Sequence, residues 1–195
     1  MKIILIRHGQ TQWNNLQKYQ GHKDIPLNDF GRKQALKIAN YLHANENIEA
    51  LYCSDLSRTR ETADIIGKRL GLNAVCDLRL REINFGKWEG MTFSEVYKEY
   101  PDQYNAWYNN TIKYGIPGGE SFTNLLERAM TSINDIKEKH KCPVAVVTHG
   151  GVIKAVLHQL GVKDILWGTV LEPGSLTILE IIKDRIRPVE IGLSL

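Results

Sequence analysis

The chain has 195 residues, of which 43% are hydrophobic and 24% are charged. This length fits one domain, 1–195, whose core needs no disulfide or structural metal, and the composition is too apolar for a disordered protein. The 25 basic and 22 acidic side chains give a formal net charge of +3, which is too small to indicate a nucleic-acid or anionic-membrane partner. The apolar run at the N-terminus is too short for a signal peptide or a membrane span, so we expect a cytoplasmic protein.

The three cysteines, Cys53, Cys76 and Cys142, are odd in number and form no CxxC pair. They argue against a disulfide framework and for a reducing compartment. We expect all three to be small, buried apolar side chains in or beside strands.

Short apolar runs alternate with segments of helical period. Residues 3–6 predict a buried strand, and residues 28–45 predict a helix capped by Asn28 or Asp29. Ala50–Cys53 predicts a second strand, and the helix after it is expected to be capped by Ser54 and Asp55 and to run to residue 70. The later predictions are a strand Ala74–Cys76, short helices in 93–114, a long helix from Ser121, a strand 144–147, a helix 152–160 and a hairpin of Leu176–Ile182 with 186–191.

This alternation of strands and helices predicts an α/β fold. We expect a three-layer α/β/α sandwich whose sheet is mostly parallel, with an antiparallel strand near the C-terminus. In such sheets the ligand site lies beyond the carboxyl ends of the strands. The side chains that follow the predicted strands are Arg7 and His8, then Arg58, then Glu82, then His149.

These residue types favour an anion as the ligand. Arginine offers a rigid fork of donors that matches phosphate oxygens and stays charged, and a helix beginning at Gly150 and Gly151 offers backbone N–H groups. Two histidines and Glu82 could instead bind a metal, but neighbouring arginines would repel a divalent cation, and no HxH or HExxH spacing is present. At a phosphate site, a neutral imidazole can act as nucleophile and a glutamic acid can protonate a departing alkoxide.

The same residues lie in motifs that follow one another between residue 3 and about residue 155. They are Arg7-His8-Gly9-Gln10-Thr11 with Trp13 and Asn14, Gln20-Gly21, Ser54-Asp55-Leu56-Ser57-Arg58-Thr59, Leu80-Arg81-Glu82, Pro117-Gly118-Gly119-Glu120-Ser121 and Thr148-His149-Gly150-Gly151. This ordered set resembles the histidine phosphatase superfamily, the phosphoglycerate mutase-like proteins.

The resemblance implies a phosphoric monoester hydrolase that uses no metal and no cofactor. It implies that His8 becomes a phosphohistidine and that Glu82 protonates the leaving oxygen and then activates water. It also implies the residues that hold the phosphate or the rest of the substrate: Arg7, Asn14, Arg58, His149, Gly150, Gln20 and Gly21. Nearby arginines should keep His8 neutral. We predict that the ring nitrogen of His8 that does not attack phosphorus donates to a backbone carbonyl.

Several assignments have structural alternatives. Glu89 or Glu120 could take the place of Glu82, and Asn14 could simply close a turn. Arg79 and Arg81 are expected to be solvated or structural, because alternation along an extended segment places them opposite Glu82. The aromatic side chains between residues 97 and 114 are expected to pack short helices together.

The compact length and the segment 82–90 resemble the phosphatase branch of the family, which includes alpha-ribazole phosphatases and broad-specificity phosphatases. The expected partner is a small-molecule phosphate ester, with alpha-ribazole 5′-phosphate as one candidate, and residues 93–120 are expected to cover it. A homodimer is a family-level expectation. The alternatives are a bisphosphoglycerate-dependent phosphoglycerate mutase and a non-catalytic phosphate-binding relative.

Overall fold

A six-stranded sheet with the order β3-β2-β4-β1-β5-β6 forms the centre of the protein, which a computed structural model describes over residues 1–195. The three pairs on the β3 side are parallel, whereas β5 is antiparallel to both β1 and β6. The predicted mostly parallel sheet with an antiparallel strand near the C-terminus is therefore confirmed. The strands are β1 Lys2–Arg7, β2 Ala50–Cys53, β3 Ala74–Cys76, β4 Val144–Thr148, β5 Leu176–Ile182 and β6 Arg185–Leu193.

Helices cover both faces of the sheet, and the alternation along β1 shows why. Ile3 and Leu5 pack into a core cluster with helices α6 and α7, whereas Ile4 and Ile6 pack into a second cluster with α2 and α3. Because successive side chains of a strand point to opposite faces, the buried apolar run 3–6 of β1 needs a helical layer on each side. The helices are α1 Gln12–Asn15, α2 Asp29–Asn45, α3 Ser57–Leu70, α4 Phe93–Glu99, α5 Pro101–Asn109, α6 Phe122–Lys139 and α7 Gly150–Gln159.

The predicted start of α3 was wrong. The helix begins at Ser57, and the residue in the N-cap position, Leu56, provides no side-chain cap. The Asp55 carboxylate instead forms two hydrogen bonds with the Arg81 guanidinium, at 2.7 and 2.5 Å. Ser54 Oγ accepts from the backbone N–H of Leu56 at 3.3 Å. Asp55 therefore pairs with Arg81, a charged residue from a distant loop, and does not cap the helix.

The segment before Glu82 also differs from the prediction. Leu78–Leu80 forms a 3-10 turn rather than an extended run. The structural reading of its arginines is correct, because Arg79 pairs with Asp77 and Asp135. Asp77 stabilises the turn, because its carboxylate also accepts from the backbone N–H of Arg79 at 2.9 Å.

The prediction of buried cysteines holds for one of three. Cys53 is buried, whereas Cys76 and Cys142 are exposed. The reason is topology: β3 lies at the edge of the sheet, and Cys142 lies between α6 and β4. The Sγ atoms of Cys53 and Cys76 are 3.6 Å apart across the β2–β3 pair.

The aromatic segment packs only partly as expected, because Tyr97, Tyr108 and Tyr114 are exposed. Tyr104 and Trp107 of α5 are buried against Trp88, with ring centroids 6.0 and 5.4 Å away. Trp107 also contacts Trp167 edge-on at 5.1 Å, which joins this segment to the loop before β5. None of the helices has both the length and the apolar character needed to cross a membrane.

Candidate active site

A cavity of about 400 Å³ opens where β1 and β4 end. Since the carboxyl ends of parallel strands lie at one edge of a sheet, segments distant in sequence meet here. Almost all of the predicted site residues line this cavity: Arg7, His8, Asn14, Gln20, Gly21, Arg58, Glu82 and Gly150. The remaining one, His149, lies beside His8, with the ring centroids 5.2 Å apart and the rings edge-on. No group of three or more His, Cys, Asp or Glu side chains is arranged to hold a metal ion.

The His8 imidazole is held in one tautomer. Its Nδ1 lies 2.7 Å from the carbonyl oxygen of Gly9. A carbonyl can only accept, so Nδ1 carries the proton and Nε2 presents a lone pair, as predicted. Burial, followed by the charges of Arg58 and Arg7, lowers the pKa of His8 well below its usual range, while the Gly9 hydrogen bond opposes this shift. The ring is therefore neutral at pH 7.

Each of the two arginines keeps one buried nitrogen without a hydrogen-bond partner in the protein. The terminal nitrogens of Arg58 donate to the carbonyls of Lys23 at 2.9 Å and Gly21 at 2.7 Å, and Arg7 donates to the carbonyl of Leu171. The Nε atoms of both arginines are buried and have no hydrogen-bond partner. Burial lowers the pKa of Arg58 to about 10, while Glu82 opposes the shift. Both guanidinium groups therefore remain charged near neutral pH.

His149 adds two more unpartnered atoms. Its side chain is fully buried, and neither ring nitrogen has a hydrogen-bond partner. Burial, followed by the charge of Arg58, lowers the pKa of His149 well below its usual range. Buried polar atoms are nearly always hydrogen-bonded. A tetrahedral oxyanion at this end of the cavity would accept hydrogen bonds from the one N–H of the neutral ring and from the Nε atoms of Arg7 and Arg58.

Glu82 is the carboxylate that faces the cavity. Its Oε1 accepts from the backbone N–H of Ile83 at 2.9 Å, and its Oε2 accepts from that of Gly151 at 3.2 Å. The two alternative carboxylates, Glu89 and Glu120, have hydrogen-bond partners outside the cavity. Glu89 accepts from backbone N–H groups at 2.8 and 3.2 Å, and Glu120 pairs with Arg128 at 2.7 Å. Neither of them lines the cavity.

Asn14 closes a turn and also lines the cavity. It forms a capping box with Thr11, in which Oδ1 accepts from the Thr11 backbone N–H at 3.0 Å. The turn-closing alternative is thus correct, and the side chain lines the cavity as well. Gly21 has a φ of +50°, and a Cβ there would lie 2.1 Å from Glu89 Oε1, so only glycine fits without rearrangement.

Arg128 is a positioning residue that sequence reasoning missed. From α6 it donates to the carbonyl oxygens of Arg79 at 2.8 Å, Arg81 at 2.5 Å and Glu82 at 2.8 Å. It thereby fixes the loop that carries Glu82. The only signal in the sequence is an arginine three residues after Leu125, at the border of the apolar face of α6.

The two glycines at the start of α7 differ in the space beside them. A Cβ on Gly151 would lie 2.2 Å from Glu82 Oε1, whereas the nearest atom to a Cβ on Gly150 is Arg7 Nε at 3.5 Å. We expect Gly151→Ala to displace the Glu82 carboxylate and lower kcat/KM for an alkyl phosphate by about 100-fold, as a misplacement of about 1 Å can do. Gly150→Ala, the matched control, should lose less than about tenfold. Equal losses in the two variants would contradict this account.

The two depressed histidine pKa values predict a pH dependence of stability. The unfolded chain binds protons below about pH 6.5 that folded His8 and His149 do not bind. The free energy of unfolding is therefore greatest above that pH and falls as the pH drops below it, by up to about 1.4 kcal/mol per pH unit for each histidine. Urea unfolding at pH 7.5, 6.5 and 5.5 measures this slope. His149→Asn should flatten it, and a variant of the exposed His43 should not; an unchanged slope in His149→Asn would refute the assignment.

Comparison with known proteins agrees with the resemblance to the histidine phosphatase superfamily. Residues 3–193 match the sequence profile of the histidine phosphatase superfamily, branch 1. The chain is 42% identical over 161 residues to phosphoglycerate mutase-like protein 4 of Arabidopsis thaliana, a match that covers 81% of this chain and 70% of that relative. It is 39% identical over 158 residues to the metal-independent phosphoserine phosphatase of Arabidopsis thaliana, covering 80% of this chain and 66% of that relative.

A solved structure shows the same architecture. The alpha-ribazole phosphatase from Shigella flexneri superimposes with a TM-score of 0.87 at 26% identity, covering 99% of this chain and 96% of that chain. The six-stranded sheet with its flanking helices is thus the phosphoglycerate mutase-like fold. Together with the family match, relatives named as phosphatases place the chain among the phosphoric monoester hydrolases. The chain belongs to branch 1 of the histidine phosphatase superfamily.

Proposed function

We propose that the protein is a metal-independent phosphomonoesterase that hydrolyses a small phosphorylated metabolite through a phosphohistidine at His8. One observation carries this proposal: buried donors without a protein partner, on Arg7, Arg58 and His149, surround a neutral imidazole. Fixed donors of this kind stabilise the charge on the three non-bridging oxygens of a phosphoryl group during transfer. Arginines supply the positive charge that other phosphatases obtain from cations.

In the first step, His8 Nε2 attacks phosphorus in line with the ester oxygen. The new N–P bond forms as the P–O bond to the leaving group breaks, and protonated Glu82 gives its proton to the departing oxygen. The imidazole becomes cationic on phosphorylation, and the Gly9 carbonyl, 2.7 Å from Nδ1, stabilises that charge. The products of this step are the alcohol and the phosphohistidine.

In the second step, water attacks the phosphohistidine from the side that the alcohol has left. The Glu82 carboxylate takes a proton from this water, the N–P bond breaks, and inorganic phosphate forms. His8 returns to its neutral form with the proton still on Nδ1, so the cycle closes without a net change in the protein. The backbone N–H groups of Ile83 and Gly151 hold the Glu82 oxygens in place for both transfers.

The cavity supports a small organic substrate. Its outer wall is largely apolar and includes Trp107, Phe122 and Trp167. Trp107 and Thr111 belong to the segment 93–120, which we propose covers the bound ester. Alpha-ribazole 5′-phosphate is one candidate substrate, supported by the likeness to the Shigella flexneri enzyme. Phosphoserine is another, supported by the Arabidopsis thaliana phosphatase.

A phosphate-release screen over a panel of metabolite esters tests this function. We expect release from at least one ester, undiminished by a chelator, together with an acid-labile phosphoenzyme after rapid quenching. Isomerisation of phosphoglycerate that needs bisphosphoglycerate, with little net phosphate release, would instead make the protein a mutase. Failure to trap a phosphoenzyme with any ester of the panel would favour a non-catalytic phosphate-binding protein.

A further inference from the structure

Lys154 is a cavity residue that the mechanism above does not use. It lies on α7 four residues after Gly150, and both residues line the cavity. Residues four apart lie above one another on a helix, about one turn, or about 6 Å, along its axis. Side chains of a helix lean toward its N-terminus, so the Lys154 side chain extends back along the cavity wall toward the end where Arg7 and Glu82 lie.

The ammonium group of Lys154 has no anionic partner in the protein. Its Nζ donates to the carbonyl oxygen of Leu166 at 2.7 Å, and it forms no ion pair with a carboxylate. An ammonium group has three donors, so two remain for other acceptors. The side chain is half-buried. Burial and the nearby Arg7 guanidinium lower the pKa of Lys154, while Glu82 opposes the shift.

The surroundings make this charge costly unless a ligand pairs with it. The loop that follows Leu166 adds the apolar side chains of Trp167, Val170 and Leu171 to the cavity wall, of which Leu171 is buried and the other two are partly exposed. A cation held among apolar groups is stabilised by an anion that shares its desolvated site. The substrate phosphate is already served by Arg7 and its neighbours, so Lys154 is available to a second anionic group of the same molecule.

We propose that Lys154 binds a carboxylate of the substrate, so that the enzyme prefers phosphate esters of short hydroxy or amino acids to esters without a second anionic group. This inference rests on the proposed phosphatase function and specifies its substrate class. Lys154 lines the same cavity of about 400 Å³ as Arg7 and Arg58, which suits a carboxylate a few bonds from the phosphate. Such a preference favours phosphoserine over alpha-ribazole 5′-phosphate, which carries no carboxylate.

Matched substrate pairs test the proposal. Phosphoserine is compared with phosphoethanolamine, and 3-phosphoglycerate with glycerol 3-phosphate, because each pair differs in the carboxylate. A charge-assisted hydrogen bond predicts about 10- to 100-fold higher kcat/KM for the carboxylate-bearing member. Lys154→Met should bring this ratio close to one while changing kcat/KM for p-nitrophenyl phosphate by less than about threefold. Lys154→Arg should keep part of the preference.

Lys18→Met is the matched control, since Lys18 also lines the cavity but its Nζ lies over the Trp13 ring, 5.9 Å from the centroid. It should leave the carboxylate preference unchanged. A wild-type ratio near one, loss of the ratio in Lys18→Met instead, or an equal fall on every substrate in Lys154→Met would overturn the proposal. The last result would mean that Lys154 only tethers the Leu166 loop.

A binding measurement separates failure of this proposal from failure of the proposed function. If the wild-type protein hydrolyses no ester, the phosphatase function fails, but calorimetry can still compare phosphonoacetate with methylphosphonate. Tighter binding of phosphonoacetate that is lost in Lys154→Met would support the carboxylate site on its own. Equal affinity for the two phosphonates would overturn it.

Discussion

Replacing His8 by alanine is expected to lower kcat/KM for every phosphate ester by about 10⁴-fold or more, as loss of a nucleophile does in other covalent enzymes. Without the imidazole no N–P bond can form, so rapid acid quenching should trap no phosphoenzyme. Phosphate release from p-nitrophenyl phosphate and from an alkyl ester, with quenching after milliseconds, measures both effects.

Two controls accompany this variant. His43→Ala removes an exposed histidine at the end of α2 and should retain full activity. The His8→Ala protein should still be stabilised against thermal unfolding by inorganic phosphate, because the Arg7 and Arg58 donors remain. Retention of substantial turnover in a folded His8→Ala protein would contradict the phosphohistidine mechanism.

Replacing Glu82 by glutamine is expected to lower turnover of alkyl phosphates by about 10²–10⁴-fold, the usual contribution of a general acid or base. The amide keeps the shape of the side chain but cannot donate or accept the transferred proton. With p-nitrophenyl phosphate the first step should suffer less, since nitrophenolate leaves without protonation. The second step still needs a base, so a burst of nitrophenolate should precede slow turnover, with phosphohistidine accumulating.

Glu89→Gln and Glu120→Gln are the matched comparisons for this experiment. Neither carboxylate faces the cavity, so any loss of activity in these variants should be the same for aryl and alkyl esters and should show no burst. A burst in either of them, together with its absence in Glu82→Gln, would reassign the proton transfer.

Much of the fold follows from local pattern. The bounds of β2 and β3 agree with the prediction, and Asn28 caps α2, because apolar runs and capping side chains act over a few residues. The start of α3 did not follow, since Asp55 pairs with Arg81 from a loop 26 residues away. Capping rules describe a helix alone and contain no information about such a distant charged partner.

Some residues of the candidate site could likewise be predicted from the sequence, and others could not. The residues at strand ends were predictable because parallel strands bring their carboxyl ends to one edge of the sheet. Arg128 was not, because its acceptors are backbone carbonyls 46 to 49 residues away, and a carbonyl carries no sequence signature. Lys154 is similar: its significance comes from the absence of a carboxylate at ion-pair distance from its ammonium group, which only the packed structure shows.

The hydrogen bonds of Arg58 have a consequence for how this enzyme can diverge. Its guanidinium anchors the loop at Gly21 and Lys23, and its side chain also lines the cavity, with Nε buried and free of any protein partner. A substitution in that loop therefore disturbs the reaction chemistry as well as the fit of a ligand. The loop of Trp167 is likewise linked to Arg7, which donates to the carbonyl of Leu171. The wall formed by α5 at Trp107 has no hydrogen bond to Arg7, Arg58 or His149. New specificities can arise there by single substitutions, so the reactive end can stay fixed while the recognised metabolite changes.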